Sequence, residues 1–176
     1  TVRATRRIYM LGETSYYRAQ TTFCRDRFAR GDFGEFVYGE GQYHHDMAHF
    51  YASLMYSGGA EWKRTASFPP MLYPTHSVAF ILGVTFRRMT AVTCFGYVDH
   101  HADGVFDADL SLWGNVFSNE TALFRTSDGG MARVCEFRRT AHSMMDRMTL
   151  TGTHGCYQEQ PREHGVPIAH FQRDYP

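Results

Sequence analysis

"ETALFRTSDGGMARVCEFRRT", residues 120–140, decides the fold class. Two runs alternate between apolar and polar positions on either side of Asp128-Gly129-Gly130, the composition of a tight turn between antiparallel strands. A second pair of runs follows in "DRMTLTGTHGCYQEQ", 146–160, with Gly155 at the expected turn. Before the hairpin, "MTAVTCFGYV" (89–98) and "DLSLWGNVFS" (109–118) are each expected to be strands. The last stretch, 160–176, is expected to be an extended arm.

The N-terminal half is mixed. Residues 1–5 resemble the end of a linker, and "RIYMLGET" (7–14) is expected to be a strand entering a polar turn. A helix is expected across 16–31, with Tyr16, Gln20, Phe23, Cys24 and Phe28 on one face and Gly31 as its stop. A strand follows over about 35–44. Residues 46–72 are expected to be irregular, broken by "SGGAEW" and "FPPM". Then "FPPMLYPTHSVAFILGVTF" (68–86) predicts a helix from Pro74, with Val78, Ile81, Leu82 and Thr85 on the buried face.

Together these elements predict one α+β domain over 1–176. Its frame is a large, open, mostly antiparallel sheet with two or three helices packed on one face. The other face would carry Phe95, Tyr97, Trp113, Phe124 and Phe137, too apolar for water, so a partner subunit is expected there.

Bulk composition excludes several classes. The 176 residues are 43% apolar and 15% aromatic with a formal net charge of zero. That is a globular chain with no electrostatic reason to seek nucleic acid or an anionic membrane. The longest apolar run is too short to span a bilayer. Four scattered cysteines form no CxxC pair, which points to a reducing, cytoplasmic setting. Of eighteen basic residues only Lys63 is a lysine, so chemistry needing a tunable amine has one candidate.

Four stretches could carry chemistry. His76 lies in the first turn of a helix, where the positive end of the dipole favours a neutral imidazole able to bond a substrate hydroxyl. A capped histidine at the core's edge is the plainer alternative. Tyr73 could add a phenol to the same pocket. "YHHDMAH" places His44, His45, Asp46 and His49 together, either as a polar rim lining a cleft or as metal ligands without a recognised spacing. The rim is favoured, so no metal is expected. "DHHADGVFDAD" (99–109) lacks the closing Glu of a calcium loop and is expected to be solvated. In "GETSYYR" (12–18), Glu13 and Tyr17 suit a sugar's hydroxyls and its apolar face, while Thr14 or Ser15 would cap the helix. A glycine-rich phosphate loop and a GxSxG elbow are both absent.

"CRDRFARGDFGEFVYGE" (24–40) resembles the helix, G-x-x-G turn and first sheet strand of the C-terminal domain of the Gfo/Idh/MocA oxidoreductases. "PMLYPTHSVAFI" resembles that family's active-site helix with its histidine, and "MTLTGTHGCYQ" its closing strands. The resemblance implies the substrate-binding and oligomerisation domain of an NAD(P)-dependent dehydrogenase acting on a sugar, cyclitol or related polyol. An N-terminal Rossmann domain would hold NAD or NADP and supply the catalytic lysine. In this chain Lys63 stands in Glu-Trp-Lys-Arg rather than the family's Glu-Lys-Pro. Leu72 and Ala79 replace two aspartates that usually flank the histidine, and Pro74 replaces a glycine. The implied catalytic residues are thus His76 and Tyr73, with Glu13, Tyr17, His44 and His45 positioning substrate. Two alternatives stay open: a non-catalytic binding or assembly module of the same fold, and a metal-dependent hydrolase or isomerase built on the 44–49 cluster.

Overall fold

A computed structural model describes residues 2–10, 12–141, 144–160 and 166–174. Its frame is a seven-stranded sheet in the order β2-β3-β4-β1-β5-β6-β7. The strands are β1 (Phe36–His45), β2 (Met89–Val98), β3 (Phe117–Thr126), β4 (Met131–Phe137), β5 (Met144–Gly152), β6 (Gly155–Gln158) and β7 (Ile168–Phe171). Only β1 and β4 run parallel; every other neighbouring pair is antiparallel. The expected α+β architecture is what the chain adopts. β3 and β4 form the hairpin around Asp128-Gly129-Gly130, where Gly129 takes a positive φ of 91°. β5 and β6 form the second hairpin, with Gly155 opening β6 just past the turn.

Two helices, α2 (Ala19–Ala29) and α5 (Thr75–Thr85), lie on one face; α1 (Val2–Thr5) is a single exposed turn. α5 rests directly on β1. A Cβ at Gly41 would run into the backbone carbonyl of Ser77, and one at Gly39 would press on Ile81. These two glycines allow the helix to sit close over the strand. The core beneath is built from Cys24, Phe33, Phe80, Ile81, Val84, Val134, Met148, Leu150 and Phe171.

Several sequence expectations are corrected. Residues 7–10 and 12–14 pair with no strand among the described residues, and Ile8 is 99% exposed. Residues 46–72 are largely helical, with α3 (Tyr51–Gly58) and α4 (Trp62–Ala66). Their Trp62 and Ala66 bury against Val105 and Phe106, with Tyr51 and Leu54 packed alongside, a satellite core formed with a distant loop. Residues 109–116 make turns, and the strand begins only at Phe117. Asp107 accepts from the N–H of Asp109, Ser111 from Trp113 and Asn115 from Phe117, so short polar side chains take the bonds a strand would need. The inward face of α5 is Ser77, Phe80, Ile81 and Val84, one position back from the expected stripe. Phe124 packs on the core side of β3, not on the open face. Within the expected arm, 168–171 form β7 and bury Phe171 in the core, while 161–165, 175 and 176 lie outside the described residues.

Candidate functional site

The N-terminal end of α5 gathers most of the polar chemistry. Proline at its N-cap leaves the first turn at the sheet's rim, and His76 points from that turn toward the 13–17 loop. Its Nδ1 lies 2.7 Å from Glu13 Oε1 and 3.2 Å from Ser15 Oγ. Glu13 is itself held: the backbone N–H groups of Ser15 and Tyr16 donate to its two carboxylate oxygens at 3.2 and 2.8 Å. A carboxylate can only accept, so His76 Nδ1 carries a hydrogen and donates it to Glu13. In the neutral ring Nε2 is then a lone pair. Tyr73 Oη is 3.4 Å from that nitrogen, with its ring perpendicular to the imidazole. The same atoms therefore assemble a base, its orienting acid and a phenol.

β1 supplies the floor. Tyr43 lies 4.8 Å from the His76 ring, and its hydroxyl is 2.5 Å from His45 Nδ1. His45 Nε2 in turn faces His49 Nε2 at 3.3 Å. Burial lowers the pKa of His45, and the neighbouring His49 and Arg138 push the same way, so this ring is neutral near pH 7. Burial raises that of the Tyr43 phenol, which keeps its proton.

Beneath the loop before α5 runs a buried carboxyl–guanidinium pair, Glu136 near the end of β4 and Arg138 just past it. Arg138 donates to the carbonyl of Tyr73 at 3.2 Å and lies 2.9 Å from Glu136. Its guanidinium sits within 6.0 Å of the Tyr43, Phe68 and Tyr73 rings. Ser77, the residue after His76, donates to the other oxygen of Glu136. Strand and helix are thus tied together at the turn that presents His76.

A cavity of about 260 Å³ lined by Glu13, Tyr16, Tyr17 and Ala79 opens beside this cluster. Tyr17 stands at its rim, exposed, edge-on to Tyr16 at 4.9 Å. Of the six expected site residues, His76, Tyr73 and Glu13 come into direct contact. His45 joins through Tyr43, and Tyr17 borders the adjoining cavity. His44 does not join them. Strand alternation sends it to the opposite face of the sheet, where it stacks on Phe137 at 4.3 Å. The 44–49 cluster is divided by the same alternation, and the Asp46 carboxylate is occupied by the N–H groups of Ala48 and Thr140. Among the described residues no three histidine, cysteine or acidic side chains converge as a metal-binding group. Lys63 lies on α4 and donates to the carbonyl of Asp103.

Tyr43, Glu136 and Arg138 were not singled out in the sequence, although signals existed. Tyr43 shares a strand face with His45, two residues on. Glu136 and Arg138 continue the inward series Ala132, Val134, and a charged pair in that series is an anomaly worth following.

No protein-family model matches the sequence, and no curated protein does. Solved structures do share the fold. An inositol dehydrogenase homolog from Azotobacter vinelandii, complexed with NADH and myo-inositol, superposes with a TM-score of 0.66 at 16% identity, over 97% of this chain and 42% of its own. The scyllo-inositol dehydrogenase of Lactobacillus casei with NAD(H) and scyllo-inositol gives 0.66 at 15%, over 95% and 46%. The WlbA dehydrogenase of Bordetella pertussis, in complex with NADH and UDP-GlcNAcA, gives 0.64 at 13%, over 90% and 45%. The chain therefore has a fold found in dehydrogenases and spans less than half the length of these structures. No helix of the described residues is long and apolar enough to cross a membrane.

Proposed function

We propose that this chain is the substrate-binding and oligomerisation domain of an NAD(P)-dependent oxidoreductase of the Gfo/Idh/MocA type, acting on a sugar, cyclitol or related polyol. The observation that carries this reading is the Glu13–His76–Tyr73 constellation at the start of α5, in a fold shared with NAD-bound inositol dehydrogenases. A substrate hydroxyl placed at His76 Nε2 would give its proton to that lone pair. The imidazolium so formed would be stabilised by Glu13, 2.7 Å from the other nitrogen. Tyr73 would orient the same hydroxyl, and the exposed ring of Tyr17 would cover the substrate's apolar face.

The described residues do not fit the dinucleotide. Among the described residues no glycine turn links a strand to a helix N-terminus in the manner that cradles a pyrophosphate. In this reading NAD or NADP is held by a separate nucleotide-binding domain, and no step is routed through it here. The open face, with Leu123 and Met131 both exposed, would pack on a second subunit.

Replacing His76 with Gln in the complete natural polypeptide should lower kcat by more than about tenfold, since positioned proton transfer contributes roughly 10²–10⁴-fold. An unchanged kcat would remove His76 from the mechanism. A non-catalytic assembly module of the same fold is the second reading, favoured by the engagement of Lys63 with Asp103. Reduction of a nicotinamide cofactor with any polyol by the natural polypeptide would count against it.

A further inference from the structure

A run of hydrogen bonds leads from the floor of the site to the surface. The Tyr43 hydroxyl lies 2.5 Å from His45 Nδ1, and His45 Nε2 lies 3.3 Å from His49 Nε2. Tyr43 and His45 are 7% and 9% exposed, whereas His49 is open to solvent in the single turn Ala48–Phe50. Phe50 packs on both imidazoles, 5.3 Å from the His45 ring and 4.0 Å from that of His49, and holds them together. The Tyr43 ring itself lies 4.8 Å from that of His76.

The number of hydrogens gives this run a sense. A neutral imidazole has one N–H and one lone pair, while a phenol both donates and accepts. With both rings neutral, Tyr43 donates to His45 Nδ1 and His45 Nε2 donates to His49. The remaining N–H of His49 meets water. The opposite sense would take from the Tyr43 O–H the one partner it has, at a cost in a residue so nearly buried.

We propose that Tyr43, His45 and His49 form a switch worked by pH, in which a proton taken up at His49 turns Tyr43 from an acceptor toward the site into a donor. One added proton reverses the run wherever it lands. On His49 it puts a hydrogen on the nitrogen facing His45, so His45 accepts at Nε2 and carries its own hydrogen on Nδ1. On His45 it occupies Nδ1 directly. In both cases Nδ1 donates to the Tyr43 oxygen, and the hydroxyl hydrogen turns away from His45. The groups facing His45 are His49, Arg138 and His76, which oppose a charge there together with burial, and Asp146, which favours one. The charge therefore rests on the exposed ring of His49. Facing Tyr43 are Arg138, Glu136, Tyr73 and Asp146, and its phenol keeps its proton in either state. The consequence for substrate rests on the polyol dehydrogenase reading. A carbinol both donates and accepts, whereas a carbonyl oxygen only accepts. Acid thus gives the ketone a contact that the neutral run denies it.

The test reads the hydrogens directly. The complete natural polypeptide, labelled with ¹⁵N in histidine alone, is followed by long-range proton–nitrogen correlation between about pH 5 and 8. Signals are assigned by their loss in His45→Ala and His49→Ala. At the alkaline end His45 should hold its lone pair on Nδ1, and it should gain a hydrogen there in step with the titration of His49. In His49→Ala, a change at an exposed position, Nδ1 should keep its lone pair through the same range. Tyr43→Phe removes the donor that fixes the sense, so His45 should become a mixture of tautomers at the alkaline end. A hydrogen on His45 Nδ1 at every pH, a titration of His49 that leaves His45 unchanged, a switch unaltered in His49→Ala, or a fixed tautomer that survives Tyr43→Phe would each overturn the proposal. The spectra need no turnover. A polypeptide that switches yet reduces no cofactor would count against the dehydrogenase reading alone.

Discussion

Glu136 is fully buried on the inward face of β4, beside Arg138 and Ser77. Burial pushes its carboxyl from the ordinary 4.5 up to about 7, against the opposing pull of Arg138 and the Ser77 hydroxyl. Between those two values the folded chain holds a proton that the unfolded chain has released. The resulting stabilisation is full below pH 4.5 and is lost as pH rises through about 7. Denaturant midpoints should therefore fall across that window, and Glu136→Gln should flatten the fall relative to the parent protein. Equal slopes in the two proteins would show that Glu136 is ionised throughout. A buried carboxyl–guanidinium contact is weak evidence of stability in itself. Here its geometry also ties Ser77 and the Tyr73 carbonyl, the residues that flank His76, to the sheet.

At the scale of elements, the contact of α5 with β1 governs where His76 stands. Gly41 has no room for a side chain under the Ser77 carbonyl. Gly41→Ala should cost about 3 kcal/mol by overpacking, a fall in Tm of roughly 6–12 °C for a chain of this length, measured by calorimetry. A change within about 1 °C would mean that the helix is not seated as described. The sequence made the two hairpins legible because alternation and turn glycines act locally. It also made the helix from Pro74 and the inward Cys24 legible. The satellite core was not legible, because α3 and α4 fold onto Val105 and Phe106, far along the chain. At 109–116 the alternation of a strand was imitated by turns that bond to their own side chains. Within the site, His76, Tyr73 and Glu13 could be nominated from helix position and composition. His44 was grouped with His45 because adjacency in sequence hides the fact that neighbours on a strand face opposite ways.

For the whole molecule, the sheet divides the chemistry. Its helix side carries the Glu13–His76–Tyr73 cluster and the adjoining cavity; its other side leaves apolar side chains such as Leu123 and Met131 exposed. We propose that this domain works with a nicotinamide dinucleotide that its own described residues are not shaped to hold. The most direct measurement is a titration of the complete natural polypeptide with NADH and NADPH, followed by calorimetry or by nicotinamide fluorescence. Saturable binding of one of the two, near one equivalent per chain, is expected. A folded natural polypeptide that binds neither would contradict the dehydrogenase reading and leave an assembly module in its place.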